Sequence, residues 1–348
     1  MKALVLAGGS GTRFWPVSRR QRPKQLLSLE GGPSLLQVTV DRLQPLVDPS
    51  EVWVCTTEKL SAQVRQQLPL VPEEQVLAEP TGRNTAPAIG WSLHSMPADE
   101  RDDVVLILPA DHRIEDREAF LGTLETAERI AREGDRVMTL GVQPTRPDAG
   151  YGYLELGPLI EPETGLRQVV QYKEKPDQAT ADRFVESGDY LWNAGMFLFR
   201  AGRLLELLQV HQPDLARGLG EIEQRPDRIV ELYPRLPSIS IDFGVMEHLD
   251  EVFTLPLDCG WSDLGSWEAL AEILPQDENG NVTKGDVVSI DCQGSVLYAD
   301  EGTVAALGVD GLVIVKTGDA VLVVPKDRTQ EIRKIVAALE DRGLTRLL

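Results

Sequence analysis

The amino-terminal segment contains a glycine-rich loop followed by two positively charged residues. Gly8, Gly9 and Gly11 come after a short apolar run. Because glycine lacks a β-carbon, the backbone there can adopt positive φ and turn its N–H groups toward an anion. Arg13 and Lys24 follow and could reach the same anion. A glycine turn alone can be a simple tight turn, but glycines together with these cations favour a phosphate site.

The spacing of this loop differs from that of the standard phosphate-binding motifs. A Walker loop has Lys and then Ser or Thr directly after its second glycine, and the dinucleotide fingerprint is G-x-G-x-x-G. Here Arg13 stands two positions after Gly11, and Lys24 comes later, past a proline-broken stretch. The loop therefore matches neither motif.

Composition limits the classes of partner. The chain has 348 residues and a formal net charge of −20, so a polyanion such as nucleic acid or an anionic membrane would be repelled. Any phosphate site must be a local basic island, and residues 13–24 form one.

Three widely spaced cysteines fit neither a disulfide framework nor a zinc site and predict buried free thiols. With no signal peptide and no apolar run of membrane-spanning length, we expect a cytoplasmic protein.

Strand and helix patterns alternate through the first part of the chain. Short apolar runs predict strands at residues 3–7, 51–57, 75–79, 103–108 and 136–142, with helices between them. This order predicts an α/β fold with a doubly wound, Rossmann-like mixed sheet. Ligands bind beyond the carboxyl ends of the strands in such sheets, where residues 8–24, 79–85 and 109–112 would lie.

The pattern changes twice further along. From Tyr151 it becomes irregular, and we expect this part to complete the sheet and close a cleft over a second substrate. After a polar linker at 276–284, five brief strands predict a small β-roll or β-helix-like domain, and a helix over 327–341 ends the chain. We therefore predict two domains, residues 1–275 and 286–348.

Two aspartates are candidate ligands for a cation. Asp111 follows a buried strand, where its oxygens could hold a hard cation such as Mg²⁺, although a helix-capping or turn role is an alternative. Asp263 lies in the string GWSDLGSW and could cap a helix that begins at Gly265.

Several strings resemble those of one enzyme family. Residues 6–13, LAGGSGTR, with Trp15-Pro16 and Pro23-Lys24-Gln25, are similar to the signature of the sugar-nucleotide pyrophosphorylases, which are nucleotidyltransferases. Three further stretches narrow the resemblance to the mannose-1-phosphate guanylyltransferase branch: residues 83–87, residues 192–193 and the Trp261-Ser262-Asp263 string. The resemblance implies transfer of GMP from GTP to α-D-mannose 1-phosphate by in-line attack at the α-phosphorus, giving GDP-mannose and pyrophosphate.

The resemblance also implies roles for individual residues. The catalytic residues would be Arg13, Lys24, Asp111 and Asp263, and the two aspartates would hold one Mg²⁺. Nucleotide-binding residues would be Leu6, Ala7, Gly8, Gly9, Ser10, Gly11, Thr12, Arg13, Lys24, Glu79, Pro80, Asn84, Thr85 and Asp111. The residues that bind the sugar phosphate would be Gly152, Tyr153, Glu174, Lys175, Asn193 and Gly195. Arg83 could serve either the base or the phosphates.

The implied chemistry suits this set of residues. A sugar 1-phosphate is already anionic at neutral pH, since its second ionisation lies near ~6, so it needs no general base. It needs positioning and cations that relieve repulsion between two polyanions.

Two alternatives stay open. One is a related sugar-1-phosphate nucleotidyltransferase with another base or sugar, such as UTP or dTTP with glucose 1-phosphate. The other is a catalytically silent regulatory relative, although none of the expected metal-binding or cationic residues is missing. Many bacterial relatives carry a longer carboxy-terminal isomerase domain, and with 348 residues we expect a single activity. We also expect a homodimer through the carboxy-terminal roll.

Overall fold

The computed structural model describes residues 1–9, 11–29 and 31–348. Two compact units are present. The first unit comprises Met1–Gly8, Thr39–Ala110 and Ile114–Trp261. The second unit comprises Gly9–Val38, Asp111–Arg113 and Ser262–Leu348. Gly9 and Gly11 of the glycine-rich loop thus belong to the same unit as the carboxy-terminal part of the chain, whereas Gly8 belongs to the first unit.

Strands and helices are named in chain order. The strands are β1 (Lys2–Leu6), β2 (Val52–Thr57), β3 (Val76–Glu79), β4 (Val104–Pro109), β5 (Met138–Val142), β6 (Gly152–Glu161), β7 (Leu166–Glu174), β8 (Tyr190–Arg200), β9 (Val252–Pro256), β10 (Val282–Ile290), β11 (Val296–Leu307), β12 (Leu312–Lys316) and β13 (Val321–Pro325). The α-helices are α1 (Leu35–Asp41), α2 (Glu58–Gln67), α3 (Thr85–Ser95), α4 (Arg117–Gly134), α5 (Gln178–Ser187), α6 (Ala201–His211), α7 (Pro213–Gln224), α8 (Ile229–Leu232), α9 (Ile241–Gly244), α10 (Trp267–Ile273) and α11 (Ile332–Asp341).

One mixed sheet organises the first unit. Its strand order is β3-β2-β1-β4-β8-β5-β9-β7-β6. β3, β2, β1 and β4 run parallel, whereas β8 is antiparallel to both β4 and β5. Leu6 at the end of β1 pairs with Cys55 of β2 and Pro109 of β4, so the carboxyl ends of these strands share one edge. The predicted doubly wound mixed α/β fold is confirmed.

Burial explains why the central strands read as continuous apolar runs. Leu4 of β1 and Ile107 of β4 are fully buried and belong to a core that also contains Ile89 of α3 and Leu208 of α6. Strands covered on both faces have no solvent side, so they carry no polar alternation.

A second, smaller sheet belongs to the second unit, with strand order β10-β11-β12-β13. β10, β11 and β12 run parallel and β13 is antiparallel. The prediction of five brief strands is wrong in number, because residues 296–307, expected to contain two of them, form the single strand β11. β10 pairs with both parts of β11 across a register shift between Lys284 and Asp286, where Gly285 has φ +83°.

The terminal helix begins later than predicted. Residues Lys326–Glu331 form a 3₁₀ helix and α11 starts at Ile332. Its apolar side chains pack on the core of the second unit, which includes Trp267 and Tyr298. A small β sheet with a terminal helix confirms the β-helix-like layout.

Two further observations concern the whole described chain. Cys55, Cys259 and Cys292 are buried free thiols, as predicted. Within residues 1–9, 11–29 and 31–348, no helix is both long and apolar enough to cross a membrane.

Candidate active site

The glycine-rich loop is shaped around Lys24. Gly11 has φ +57°, and a β-carbon there would lie 2.6 Å from Lys24 Cβ and 2.7 Å from the Lys24 backbone nitrogen. A larger residue at this position would therefore be strained and would push Lys24 away. Gly9 is held in place because its carbonyl accepts a hydrogen bond from Gln25 Nε2 at 2.9 Å. Ser10, predicted to bind nucleotide, lies outside the described residues.

Lys24 connects three separate segments of the second unit. Its side chain is buried, and Nζ lies 2.9 Å from Asp111 Oδ2 and donates to the Asp263 carbonyl at 2.5 Å. Nζ also lies 5.8 Å from the centre of the Phe14 ring. Burial by itself would raise the pKa of the Asp111 carboxyl, but attraction to Lys24 and His112 prevails and lowers it. Asp111 is therefore ionised at neutral pH.

A short two-stranded bridge brings the Asp111 and Asp263 segments together. The Arg113 N–H donates to the Ser262 carbonyl at 2.8 Å, and the Ser262 N–H donates back at 3.0 Å. Next to this bridge, Asp263 Oδ1 accepts from the Gly265 N–H at 3.0 Å.

The capping alternatives for the two aspartates are wrong. Asp116 caps α4, and its Oδ1 accepts from the Ala119 N–H. Ser266 caps α10, and its Oγ accepts from the Ala269 N–H. Neither Asp111 nor Asp263 is the capping residue of these helices.

Lys24, Asp111 and Asp263 line one cavity of about 330 Å³ in the second unit. Arg13 approaches it from the loop, where its guanidinium donates to the Gly265 carbonyl at 3.4 Å. The lining residues are Gly11, Thr12, Arg13, Phe14, Lys24, Asp111, His112, Asp263, Leu264 and Gly265. Cations and carboxylates facing one small space can hold an anion together with a divalent cation.

Aromatic packing and the carboxy-terminal residues support the loop. The Trp267 ring lies 5.2 Å from that of Phe14 and 5.2 Å from that of Tyr298, between centroids. Trp15 Nε1 donates to the Leu347 carbonyl at 2.7 Å, and Arg19 donates to the same carbonyl. We call these two bonds to Leu347 the carboxy-terminal latch.

In the first unit, the predicted nucleotide-binding residues adjoin the ends of β1 and β3. Leu6 ends β1 and is followed by Ala7 and Gly8, and a β-carbon on Gly8 would lie 3.4 Å from Glu79 Oε2. Glu79 is buried and accepts from the Tyr233 hydroxyl at 2.6 Å. Burial raises the pKa of the Glu79 carboxyl, and hydrogen bonds from Tyr233 and from the Arg83 backbone partly offset that rise.

Helix α3 begins directly after this region. Pro80 follows Glu79 in the connecting loop, and Asn84 caps the helix by accepting from the Thr85 N–H at 2.9 Å. The Thr85 hydroxyl accepts from the Ile241 N–H at 2.8 Å. The Thr85 side chain is thus engaged in holding another segment of the first unit.

Gly152 and Glu174 of the predicted sugar-binding set are neighbours. A β-carbon on Gly152 would lie 2.5 Å from Glu174 Oε2, so a larger residue there would displace the Glu174 side chain. Glu174 is buried and pairs with Lys175, whose side chain is 57% exposed. Burial and the nearby Asp242 raise the pKa of the Glu174 carboxyl, and Lys175 partly counteracts them.

Asn193 and Gly195 lie on β8. Asn193 Oδ1 accepts from the Gly195 N–H at 3.1 Å and from Thr139 Oγ1 at 2.8 Å. Tyr153, on β6, is fully buried, and its hydroxyl is hydrogen bonded to the backbone of Asp148. We therefore expect any ligand contact of Tyr153 to come from its backbone.

A protein-family model described as nucleotidyl transferase matches residues 2–280 of this chain. The chain belongs to the nucleotidyl transferase family. This assignment confirms the predicted enzyme class. A second model, described as a MannoseP isomerase/GMP-like beta-helix domain, matches residues 285–339.

Relatives of this nucleotidyltransferase align over nearly its whole length. The xanthan biosynthesis protein XanB of Xanthomonas campestris pv. campestris (strain B100) is 40% identical to this chain. The alignment covers 98% of this chain and 73% of the XanB sequence. A mannose-1-phosphate guanylyltransferase of Escherichia coli (strain K12) is 38% identical over 98% of this chain and 73% of its own. A crystal structure from Thermus thermophilus, described as a mannose-1-phosphate geranyltransferase, is 40% identical with a TM-score of 0.89. It covers 97% of this chain and 99% of its own.

Sequence reasoning missed several residues that contact the predicted site residues of this nucleotidyltransferase, and four of them have side chains at the predicted nucleotide and sugar regions. Tyr233 binds Glu79. The other three, which surround Asn193 and Glu174, are Tyr172, Asp242 and Glu247. The available signal was that Asp242 and Glu247 stand among apolar residues in SISIDFGVME. A carboxylate in such a stretch needs a polar partner.

Proposed function

We propose that this nucleotidyltransferase is a mannose-1-phosphate guanylyltransferase. A phosphate oxygen of mannose 1-phosphate attacks the α-phosphorus of GTP in line, the bond to the leaving pyrophosphate breaks, and GDP-mannose forms. The cavity that gathers Arg13, Lys24, Asp111 and Asp263 is the observation that carries the proposal. The activity named for the Escherichia coli relative supports the choice of substrates.

The chain supplies charge and position rather than a nucleophile. Lys24 and Arg13 neutralise the nucleotide phosphates, and Lys175 neutralises the sugar phosphate. Since the attacking phosphate is already ionised, no general base is required. Preorganised cations of this kind act where charge develops on the leaving pyrophosphate, and losing one typically costs about 10²–10³ in turnover.

Asp111 and Asp263 are the residues that would hold Mg²⁺. Both offer hard carboxylate oxygens, and the Asp111 side chain is ionised and 31% exposed. In the part of the chain that the structure describes, no three or more His, Cys, Asp and Glu residues are grouped to hold a metal. Mg²⁺ is commonly bound by one or two carboxylates plus substrate phosphates, so two aspartates suffice. When bound, the ion neutralises charge on the transferring phosphates.

The remaining assignments complete the proposal. The segment from Leu6 to Thr12 surrounds the nucleotide, and the region from Glu79 to Thr85 reads the guanine, with Arg83 serving either the base or the phosphates. Residues 1–275 form the catalytic domain, and residues 286–348 form its appendage. The buried free cysteines agree with a cytoplasmic location.

We also propose a homodimer through the carboxy-terminal sheet. Ile290 of β10 and Leu307 of β11 are paired neighbours and are 54% and 70% exposed. Adjacent exposed apolar side chains favour a protein interface. Sedimentation velocity of Leu307→Glu should show monomers, and an unchanged dimer would refute this interface.

A substrate panel tests the activity. Pyrophosphate release is measured for GTP, ATP, UTP and dTTP against mannose 1-phosphate and glucose 1-phosphate, with and without Mg²⁺. We expect the highest kcat/KM for GTP with mannose 1-phosphate and loss of turnover without the metal. Faster turnover of UTP or dTTP with glucose 1-phosphate would favour the related nucleotidyltransferase, and no turnover with any pair would favour the silent relative.

A further inference from the structure

Residues 239–247 of the first unit contact the start of helix α3. The Ala86 N–H donates to the Ile239 carbonyl at 3.1 Å, and the Ile241 N–H donates to Thr85 Oγ1 at 2.8 Å. Thr85 and Ala86 are the first residues of the helix, and Thr85 is the last residue of the region from Glu79 to Thr85 that is proposed to read the guanine. The segment therefore fixes the amino end of α3.

The same segment contacts the predicted sugar-binding residues. Asp242 Oδ1 accepts from the Tyr172 hydroxyl at 2.5 Å and from Asn193 Nδ2 at 3.4 Å. Glu247 Oε1 accepts from the Glu174 N–H at 2.9 Å. Residues 239–247 thus hold the last residue of β7 and, through Tyr172, the side chain of Asn193.

Asn193 has its hydrogen-bonding capacity filled by the protein. Its Oδ1 accepts from Thr139 and from the Gly195 N–H, and its Nδ2 donates to Tyr172 and Asp242. A backbone N–H can only donate, so the atom facing Gly195 must be the oxygen, and this fixes the amide orientation. An Asn side chain has two donors and two acceptor positions, and all four face protein groups, with the shorter contact of the Thr139 hydroxyl made to Asn193 rather than to the Met196 carbonyl at 3.2 Å. Asn193 is therefore a positioning residue rather than a direct ligand of sugar hydroxyls.

The donors in this network all point toward Asp242. Thr139 donates to Asn193, Asn193 donates to Tyr172, and Tyr172 donates to the Asp242 carboxylate. Burial raises the pKa of the Asp242 carboxyl, and its Oδ1 is the last acceptor of this chain, where it receives bonds from both Tyr172 and Asn193. Asp242 is thus the residue on which the order of the network depends.

We propose that residues 239–247 are a brace that couples the nucleotide and sugar-phosphate regions of the first unit, with Asp242 as its central positioning residue. This inference rests on the proposed function, because it assigns the two ends of the brace to GTP and mannose 1-phosphate. A substrate that orders one end orders the segment that holds the other, so the second substrate meets a smaller entropic cost.

Kinetics of full-length variants test the coupling. Asp242→Asn keeps the shape but replaces one carboxyl oxygen with an NH₂ group that donates, which disturbs the order of donors in the network. We expect KM for mannose 1-phosphate to rise about tenfold and KM for GTP about threefold, as for loss of a hydrogen bond. The matched control Asp250→Asn, an exposed aspartate close by in sequence, should leave both values unchanged.

The opposite end of the brace gives the reciprocal test. Thr85→Val removes the acceptor for Ile241 and should raise KM for mannose 1-phosphate as well as for GTP, whereas Thr85→Ser keeps an acceptor and should give a smaller rise. If Asp242→Asn changes KM for the sugar phosphate alone and Thr85→Val changes KM for GTP alone, the two regions are independent and the brace is refuted.

Hydrogen exchange without substrate separates this inference from the proposed function. In Asp242→Asn we expect the amides of Ala86, Glu174 and Gly195 to exchange about tenfold faster, because all three depend on the brace. Faster exchange at Gly195 alone would refute the brace. Absence of turnover by the unaltered chain would refute the proposed function, and the exchange result would still decide the inference.

Discussion

The two units position their candidate residues by different means. In the first unit, Gly152, Glu174 and Asn193 lie on strands of one sheet, so ladder hydrogen bonds fix their backbone. In the second unit, Lys24 and Asp263 lie outside strands and α-helices, and side chain to backbone hydrogen bonds join segments that are far apart in sequence. Glu174 and Asn193 are buried in the first unit, whereas Lys24 and Asp263 line the cavity of the second unit directly. We therefore expect substitutions in the second unit to affect turnover before stability, and those in the first unit to affect stability as well.

The largest effect is expected at Lys24. Lys24→Met keeps the apolar stem but removes the charge that contacts Asp111 and the Asp263 carbonyl, so kcat should fall about 10²–10³-fold with an unchanged circular dichroism spectrum. Arg13→Ala and Asp263→Ala should give similar losses. Lys59→Met, at an exposed position of α2, is the matched control and should retain activity. Turnover of Lys24→Met within fivefold of the control would contradict the assigned role.

The next effect concerns stability of the first unit. A carboxyl whose folded-state pKa is raised, such as Glu79, contributes its full stability below the unfolded pKa and loses it as pH rises through the folded pKa. Tyr233→Phe removes a donor to this carboxylate and raises that pKa further. The free energy of unfolding in urea should therefore fall more at pH 8 than at pH 5, by about 2 kcal/mol at the higher pH.

A double variant controls for the pH effect at Glu79. In a Glu79→Gln background the group at position 79 cannot ionise, so Tyr233→Phe should cost the same free energy of unfolding at both pH values. A pH-independent loss with Glu79 present would show that its ionisation is not linked to the Tyr233 hydroxyl.

A smaller effect is expected from the carboxy-terminal latch. Arg19→Gln weakens the bond to the Leu347 carbonyl and the ion pair with Asp319, which lies at 2.7 Å. Since one such hydrogen bond contributes about 1 kcal/mol to stability, the melting temperature should fall by about 2–4 °C, and kcat should fall about fivefold because the loop loses this support. Arg20→Gln breaks an exposed ion pair with Glu340 and should leave kcat unchanged. Equal kcat values for the two variants would mean that the latch does not position the loop.

The smallest effect is a stabilisation. Gly122 lies within α4, and a β-carbon there would meet no heavy atom within 4 Å. Gly122→Ala should raise the free energy of unfolding by about 0.5–1 kcal/mol without changing turnover. Gly11→Ala, which would place a β-carbon 2.6 Å from Lys24 Cβ, should instead lower kcat. A loss of stability in Gly122→Ala would contradict the open space that the structure shows beside Gly122.

The sequence predicted the regular part of the fold well because its signals are local. The runs that became β1, β2 and β4 are continuously apolar and end at glycine, proline or polar residues, which is typical of strands buried on both faces. The β11 strand was divided in two because the polar residues at its centre read as a turn, although pairing with β10 keeps them extended.

The long-range part of the site could not be predicted in the same way. The approach of Asp111 to Asp263 depends on the bridge between Arg113 and Ser262, which no local pattern reveals. Asp242 and Tyr172 meet because α9 packs near β7, and that contact depends on tertiary structure alone. The resemblance to a known family supplied the candidate residues, whereas their hydrogen-bond partners required the structure.

The composition of the second unit has a consequence for biosynthesis. Residues 9–38 leave the ribosome early, yet Phe14 and Trp15 pack in one core with Leu264 and Trp267, which are translated much later. During translation the strands of the first unit can therefore pair before Leu264 and Trp267 are available to pack against the residues of the cationic loop. A nascent chain shorter than about Trp267 therefore contains the sequence of the loop without the side chains that pack against Phe14 and Trp15 in the folded protein.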